Sequence, residues 1–279
     1  MGVGASGFGL IILANEGVAT GRAIMKVVIL AGGLGTRLAE ETELRPKPMV
    51  EIGGRPIIWH IMKHYAHHGL KEFFIAVGYR GEIIKRFFLD YCSLSGSMTV
   101  DLSQGVVNNH ENDCEDWLVH LKETGHETNT GGRVKRLESW LSDGTFMLTY
   151  GDGVSNVDLA KLLQFHKEHG RVATVTAVRP PARFGGLVFS GDLVTEFIEK
   201  PQIGEGWING GFMVFEPALF DYLTDDDSSL EADALEKLAA DKQLVAFRHE
   251  DFWQCMDTMR EVRLLENLWR SNPPWKTWP

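Results

Sequence analysis

The sequence predicts an α/β fold built on a doubly wound, mostly parallel sheet. Short apolar runs typical of buried strands alternate along the chain with longer segments whose apolar residues recur at helical spacing. Strands that alternate with helices form parallel sheets, because each helix carries the chain back across a face of the sheet. The chain has 279 residues, 44% of them hydrophobic, which is enough for one large core.

The predicted elements follow one another from residue 26. Each has the apolar spacing of its class, and glycines end two of the helices. In chain order they are a strand at 26–31, a helix at 56–69, a strand at 73–77, a helix at 81–91, a strand at 146–150, a helix at 158–169 and a strand at 171–178. Residues 98–136 are expected to form a longer insertion with one strand-like segment at 117–122.

The pattern changes at residue 183. Short strands and turns at 183–215 predict a small β subregion inserted into the main sheet on the substrate side. A later helix is predicted from Ser228, which has capping-box spacing with Glu231, to residue 241, and a strand and a closing helix follow it. Residues 25–279 are therefore expected to form one domain. Residues 1–24 are expected to be a leader, from an extension or an upstream start, that carries no chemistry.

Charge and cysteine content exclude several classes of protein. The formal net charge of −10 argues against nucleic acid or an anionic membrane surface as the main partner, because both are bound through clustered cations. The apolar run at residues 8–14 is too short to span a bilayer. Cys92, Cys114 and Cys255 are widely spaced, which predicts neither a disulfide framework nor a structural zinc site. The expected location is a reducing compartment, the cytoplasm.

A glycine-rich turn follows the first predicted strand. Gly32-Gly33-Leu34-Gly35 comes directly after that strand, and Arg37 and Lys47 follow it, the lysine between two prolines. Such a turn lets backbone N–H groups converge on an anion, to which the two cations add charge. A P-loop and a dinucleotide fingerprint are excluded, since the first needs Gly-Lys-Ser/Thr and the second a glycine where Leu38 stands. The glycines alone are equally compatible with a tight turn that binds nothing.

Two aspartates are the other candidates for chemistry. Asp152 lies between glycines directly after the predicted strand at 146–150, so it shares the carboxyl-end rim of the sheet with the glycine-rich turn. Gly-Asp-Gly is also a common turn, and Asp257 before Thr258 is also compatible with a helix cap. His60, His64 and His67 recur on one face of a predicted helix, but no cysteine or carboxylate completes a ligand set there, which predicts a solvated face.

The chain resembles the sugar-1-phosphate nucleotidylyltransferases. Their signature, Gly-Gly-x-Gly-Thr-Arg followed by Pro-Lys-Pro, stands here at 32–37 and 46–48. Longer matches that favour the cytidylyltransferases within this family lie at 45–54, 59–62, 130–133, 150–153, 252–258 and 274–278. The resemblance extends from Met25 to the last residue with few interruptions.

The resemblance implies a Rossmann-like sheet, CTP and glucose 1-phosphate as substrates, Mg²⁺ as cofactor and a homo-oligomer. It implies Arg37 and Lys47 as catalytic residues, Asp152 and Asp257 as metal ligands, and Lys200 as the contact to the sugar phosphate. The nucleotide-binding residues that it implies are Leu30, Ala31, Gly32, Gly33, Gly35, Thr36, Thr128, Arg133 and Gly151.

Two other functions stay open at this point. A thymidylyl- or uridylyltransferase would use the same chemistry on a sugar 1-phosphate. A catalytically silent nucleotide-sugar sensor would share the fold, although sensors of that type usually lose an aspartate or the signature arginine. This chain keeps Arg37, Lys47, Asp152 and Asp257, which favours an enzyme.

Overall fold

The structure is a computed structural model, and it describes residues 25–33, 35, 38, 42, 44–110, 114–180, 186–190, 193–198 and 206–279. The leader at 1–24 and the predicted site residues Thr36, Arg37 and Lys200 lie outside the described residues. No helix among the residues described has both the length and the apolar character needed to cross a membrane.

Strands and helices alternate along most of the chain. The strands are β1 (Lys26–Ala31), β2 (Glu51–Ile52), β3 (Arg55–Pro56), β4 (Glu72–Val77), β5 (Met98–Asp101), β6 (Val106–Asn109), β7 (Leu118–Glu123), β8 (Phe146–Tyr150), β9 (Gly153–Ser155), β10 (Ala173–Val178), β11 (Gly186–Ser190), β12 (Leu193–Ile198), β13 (Ile208–Asn209), β14 (Met213–Phe215), β15 (Leu244–His249) and β16 (Trp253–Cys255). The α-helices are α1 (Ile57–His67), α2 (Gly81–Asp90), α3 (Thr130–Lys135), α4 (Glu138–Leu141), α5 (Leu159–His169), α6 (Glu236–Ala240) and α7 (Met259–Ser271).

The main sheet has the strand order β13-β10-β14-β8-β1-β4-β7, and β15 also pairs with β10. Strand β1 lies in the middle and runs parallel to β4 and β8, and β7 runs parallel to β4. Strand β14 is antiparallel to its neighbours β8 and β10. The predicted class, a mostly parallel Rossmann-like α/β sheet, is confirmed.

Alternate residues of β1 serve two separate cores. Val27 and Ile29 belong to a cluster that includes the apolar face of α1, whereas Val28 and Leu30 belong to a second cluster formed with residues of α3 and α4. Because successive side chains of a strand point to opposite faces, this division shows that the central strand is covered on both sides. The sheet is doubly wound, as the alternation of strands and helices predicted.

Several observed element boundaries differ from the predicted ones, because pairing with distant segments determines them. Residues 98–136 were predicted to form an insertion, but residues 118–123 form β7 at the edge of the main sheet. The hairpin of β5 and β6 does lie outside that sheet. Within the predicted β subregion at 183–215, residues 208–215 form two strands, β13 and β14, which are separated at Gly210-Gly211. The cap predicted at Ser228 is wrong by one residue, because Ser229 Oγ accepts from Ala232 N at 3.1 Å and Ser228 Oγ accepts from Thr224 N.

The predicted solvated face of α1 is also wrong. The side chains of His60 and His64 are 1% and 2% exposed, and only His67 of the three histidines faces solvent. The C-terminal segment covers them: Trp275 Nε1 donates to His60 Nδ1 at 3.4 Å, and His64 Nδ1 pairs with Thr277 Oγ1 at 3.0 Å. These partners lie more than 200 residues away in the sequence, so the helix alone gives no sign of them.

A disulfide joins Cys92 to Cys114, with the two Cα atoms 5.4 Å apart. This corrects the prediction of no disulfide. Cys92 follows α2 and Cys114 precedes β7, and packing of the Tyr91 ring against Trp117, with centroids 6.2 Å apart, brings the two segments together. Spacing along the chain gave no indication of this proximity.

We predict that acid weakens the fold through His60 and His64. Burial lowers the pKa of His60 to about 4 and that of His64 to about 3, from 6.5. Both rings stay neutral in the folded chain while the unfolded chain binds protons below pH 6.5, so the stability that they contribute is present above that pH and is lost as the pH falls toward 4. The free energy of unfolding should fall by up to roughly 1.4 kcal/mol per pH unit for each histidine.

Urea denaturation at pH 7, 6, 5 and 4.5 measures this slope. His60→Gln should reduce it, and substitution of the exposed His110 by Gln should not. An equal slope in all three proteins would contradict the prediction.

Candidate active site

The glycine-rich turn after β1 and the Gly-Asp-Gly turn after β8 lie at the same rim of the sheet, as predicted. Gly151 N donates to Leu30 O at 2.9 Å, which joins the two strand ends. Gly35 adopts a φ of 62°, a conformation that favours glycine, and its carbonyl accepts from Leu38 N at 3.0 Å and from Thr42 Oγ1 at 3.1 Å. These bonds fix the path of the turn.

A cavity of about 280 Å³ opens at this rim. The structure brings many predicted site residues to its wall: Leu30, Ala31, Gly32, Gly33, Gly35, Lys47, Thr128, Arg133, Gly151 and Asp152. Pro48, Asn129, Thr130 and Tyr150 also line it and were not predicted as site residues. Of these, Pro48, Thr130 and Tyr150 lie within the motifs that carry the family resemblance, so the sequence could have suggested them.

Arg133 forms one side of this cavity. Its side chain is buried, and it donates to Thr124 Oγ1 at 2.8 Å, to Gly125 O at 2.6 Å and to His126 O at 3.3 Å. A Cβ atom at Gly32 would lie 2.3 Å from its Nη1, and one at Gly78 would lie 2.4 Å away. Glycine at both positions therefore lets the guanidinium lie against the backbone. Burial lowers the pKa of Arg133, and the nearby charge of Arg136 adds to this.

Asp152 and Asp257 converge on the ammonium of Lys47. The Nζ atom donates to Asp152 Oδ2 at 2.6 Å and also to Asp257 Oδ1. Burial lowers the pKa of Lys47, but the two carboxylates outweigh this effect, so its pKa lies above the ordinary value. The lysine and both aspartates therefore lie together, although 105 and 210 residues separate the lysine from its two partners.

Backbone pairing brings the two aspartates together. Strand β9, directly after Asp152, is antiparallel to β16, directly before Met256, and Met256 N donates to Asp152 O at 2.8 Å. Asp257 is not the cap of α7, because Thr258 and Glu261 form the capping box of that helix. The Glu261 carboxylate accepts from Asp257 N at 2.6 Å, which leaves the Asp257 side chain directed at Lys47.

The donor set of these aspartates fits Mg²⁺. This ion prefers one or two carboxylates and completes its octahedral shell with water and substrate phosphate oxygens. Two carboxylates that reach a single ammonium present their oxygens to one small volume, which is the arrangement a shared cation requires. Cys255 Sγ also lies within 3.8 Å of Asp257 Oδ2, but thiol ligands suit softer metals.

A second cavity, of about 940 Å³, meets the first at Tyr150 and Asp152, which line both. Its wall includes Asn209, Glu231 and Trp253, and Trp253 Nε1 donates to Gly210 O at 2.7 Å. Burial and the charge of Glu231 raise the pKa of Tyr150, so its phenol remains protonated. No local pattern in the sequence marks Glu231 as a site residue, because its partners Tyr150 and Thr130 come from distant elements.

Comparisons with known proteins bear on this site. Residues 26–261 match the family described as nucleotidyl transferase. The chain is 47% identical over 256 residues to glucose-1-phosphate cytidylyltransferase of Salmonella typhi, a match that covers 91% of this chain and 100% of that protein. It is 42% identical over 256 residues to the probable glucose-1-phosphate cytidylyltransferase of Bacillus subtilis (strain 168), with the same coverage of both chains.

Solved structures share the fold at lower identity. Apo UDP-glucose pyrophosphorylase superposes with a TM-score of 0.64 at 15% identity, covering 88% of this chain and 98% of the other. HddC from Yersinia pseudotuberculosis superposes with a TM-score of 0.60 at 23% identity, covering 88% and 99%. These likenesses show a common α/β fold.

The Lys47 ion pairs lead to a prediction about stability and metal. Lys47→Met leaves two carboxylates facing each other without a cation, so the free energy of unfolding should fall by roughly 2 kcal/mol. Millimolar Mg²⁺ should restore most of that loss by taking the position of the ammonium. Thermal denaturation with and without MgCl₂ measures both effects.

Lys63→Met is the matched control, because Lys63 is comparably buried but pairs with one carboxylate, Glu115, at 3.0 Å. Its melting temperature should not respond to Mg²⁺. If Mg²⁺ also leaves Lys47→Met unchanged, the two aspartates do not share a cation.

Proposed function

The chain belongs to the nucleotidyl transferase family, and we propose that it transfers CMP from CTP to α-D-glucose 1-phosphate, giving CDP-glucose and pyrophosphate. The observation that carries this proposal is the 47% identity to glucose-1-phosphate cytidylyltransferase of Salmonella typhi, whose whole length the chain covers. The arrangement of Lys47, Asp152 and Asp257 at the meeting point of two cavities supports it, since two anionic substrates must be brought together there.

In the proposed reaction an oxygen of the sugar phosphate attacks the α-phosphorus of CTP in line, and the bond to pyrophosphate breaks. The nucleophile is already an anion, so no protein side chain has to remove a proton. No covalent intermediate with the protein forms. The chain therefore contributes chiefly by binding, alignment and charge neutralisation.

Electrostatic repulsion between the substrates is the main obstacle. Two like unit charges about 4 Å apart cost ~4 kcal/mol at an effective dielectric constant near 20, and several such pairs meet in this reaction. Lys47 lines the smaller cavity and supplies a positive charge next to Asp152, where the two cavities meet. Arg37 and Lys200, which lie outside the described residues, are proposed to bind phosphate oxygens as the resemblance implies.

We propose that Asp152 and Asp257 hold Mg²⁺, which when bound neutralises phosphate charge and orients the phosphate oxygens. Lys47 would then exchange one or both carboxylates for substrate phosphate, since its flexible stem can turn toward the smaller cavity. The glycine-rich turn would bind the nucleotide through its backbone N–H groups, and Thr128 and Arg133 line the same cavity. We also propose that the protein assembles as a homo-oligomer.

A thymidylyl- or uridylyltransferase is the alternative with the same chemistry. With Mg²⁺ and glucose 1-phosphate, we expect pyrophosphate release to be faster with CTP than with dTTP, UTP or GTP. A coupled pyrophosphate assay across these nucleotides and several sugar 1-phosphates tests this directly. A preference of tenfold or more for dTTP, ~1.4 kcal/mol in transition-state free energy, would assign the chain to that alternative. No release with any pair would favour the silent sensor.

The shared metal site predicts how aspartate variants behave together. Asp152→Asn and Asp257→Asn keep the side-chain shape but each removes one charge, so turnover should fall by about two to four orders of magnitude. Both residues are proposed to serve one ion, so the double variant should be scarcely slower than the slower single variant. Turnover numbers and melting temperatures are measured for all three.

Asp143→Asn is the control, because it removes one charge at an exposed ion pair with Lys26, far from the rim. It should keep normal turnover. If the losses of the two site variants multiply, or if melting temperature falls as steeply as turnover, the shared-metal proposal is wrong.

A further inference from the structure

The carboxylate of Glu231 joins side chains from both cavities. Its Oε1 atom accepts from the Tyr150 hydroxyl at 2.6 Å, and its Oε2 atom accepts from Thr130 Oγ1 at 2.7 Å and from Ser229 Oγ at 3.0 Å. Tyr150 is the last residue of β8 and Thr130 is the first residue of α3. Glu231 lies in the π-helical turn Leu230–Leu235, 81 residues from Tyr150 and 101 from Thr130.

The two donors occupy positions where displacement would matter. Tyr150 lines both cavities and directly precedes Gly151 and Asp152, so its position sets that of the proposed metal ligand. Thr130 lines the smaller cavity beside Asn129 and Thr128, and the glycine-rich turn lines the same cavity. A single carboxylate therefore links the wall of the smaller cavity to the strand end that carries Asp152.

The hydrogen bonds fix the direction of each hydroxyl. Thr130 Oγ1 accepts from Leu230 N at 3.0 Å, so its own proton is directed to Glu231. The Tyr150 oxygen accepts from Asn209 Nδ2 at 3.3 Å while its proton goes to Glu231. Asn209 in turn accepts from Gly211 N at 3.0 Å, which extends the network into the wall of the larger cavity. Each member has a defined role as donor or acceptor, so the network has one favoured geometry.

We propose that Glu231 is a positioning residue. It holds the nucleotide-side wall in place through Thr130 and the end of β8 through Tyr150. The reacting phosphates of both substrates can then meet at Asp152. This inference rests on the proposed function. Displacement of a reacting group by about 1 Å costs on the order of a hundredfold in rate, so a carboxylate that touches neither phosphate can still control turnover.

The test compares variants that each break a hydrogen bond to the Glu231 carboxylate. Glu231→Gln, Tyr150→Phe and Thr130→Val should each lower kcat by roughly 10- to 100-fold. The dissociation constant of CTP, measured by calorimetry without sugar phosphate, should change by less than about threefold, because the nucleotide contacts themselves remain. Thr130→Ser keeps the hydroxyl and should retain kcat within about twofold of the unaltered protein.

A double-variant cycle tests the coupling. Because Tyr150 and Thr130 are joined through Glu231, the Tyr150→Phe/Thr130→Val protein should be scarcely slower than Glu231→Gln. Tyr222→Phe is the matched control, since Tyr222 donates to the carboxylate of Asp241 at 3.0 Å outside both cavities. It should have normal kcat.

Several results would overturn the inference. Normal kcat in Glu231→Gln would do so, and so would additive losses in the cycle. An effect confined to the KM of glucose 1-phosphate would also do so, because it would show that Glu231 binds the sugar directly. A loss of kcat in Thr130→Ser equal to that in Thr130→Val would also do so. If the unaltered protein releases no pyrophosphate with any nucleotide, the proposed function fails and the positioning role fails with it. If the unaltered protein and the variants are all fully active, only the positioning role is overturned.

Discussion

The contact of Lys47 with Asp152 and Asp257 is the constraint on which the arrangement of the rim depends. Two carboxylates that point into one volume repel each other, so the chain can hold them there only with a cation between them. The lysine begins the 3-10 helix Lys47–Met49, one aspartate lies in the turn after β8 and the other lies at the junction of β16 and α7. Charge balance at this point therefore ties together three distant parts of the fold.

The smaller cavity also depends on the close approach of the backbone at Gly32 to the backbone at Gly78 and Tyr79. Tyr79 N donates to Gly32 O at 3.1 Å, and the guanidinium of Arg133 fills the space beside Gly32 and Gly78 that a side chain would otherwise take. Arg133 gives its hydrogen bonds to the segment at 124–126, so it braces the loop between β7 and α3. This part of the cavity wall is thereby fixed by the protein's own contacts.

Local signals in the sequence predicted much of this structure, and long-range contacts account for what they missed. The bounds of β1 and β8 matched because a buried strand is marked by its own apolar residues. The shared rim of the glycine-rich turn and the Gly-Asp-Gly turn followed from the position of each motif directly after a parallel strand. The burial of His60, the bond between Cys92 and Cys114 and the contacts of Glu231 each join segments that are distant in the chain. Periodicity and spacing describe a segment and its neighbours, so they contain no information about such partners.

The packing of the C-terminal segment on α1 has a consequence for how the chain folds during synthesis. Trp275 and Trp278 contact the ring of His60, which is made 215 residues before Trp275. At about 5 to 20 residues per second, the ribosome needs roughly 10 to 40 seconds to span that interval. Throughout it, the apolar surface that these tryptophans later cover is open to water and to chaperones. The emerging polypeptide must therefore be kept from aggregating at α1 until these tryptophans have been synthesised.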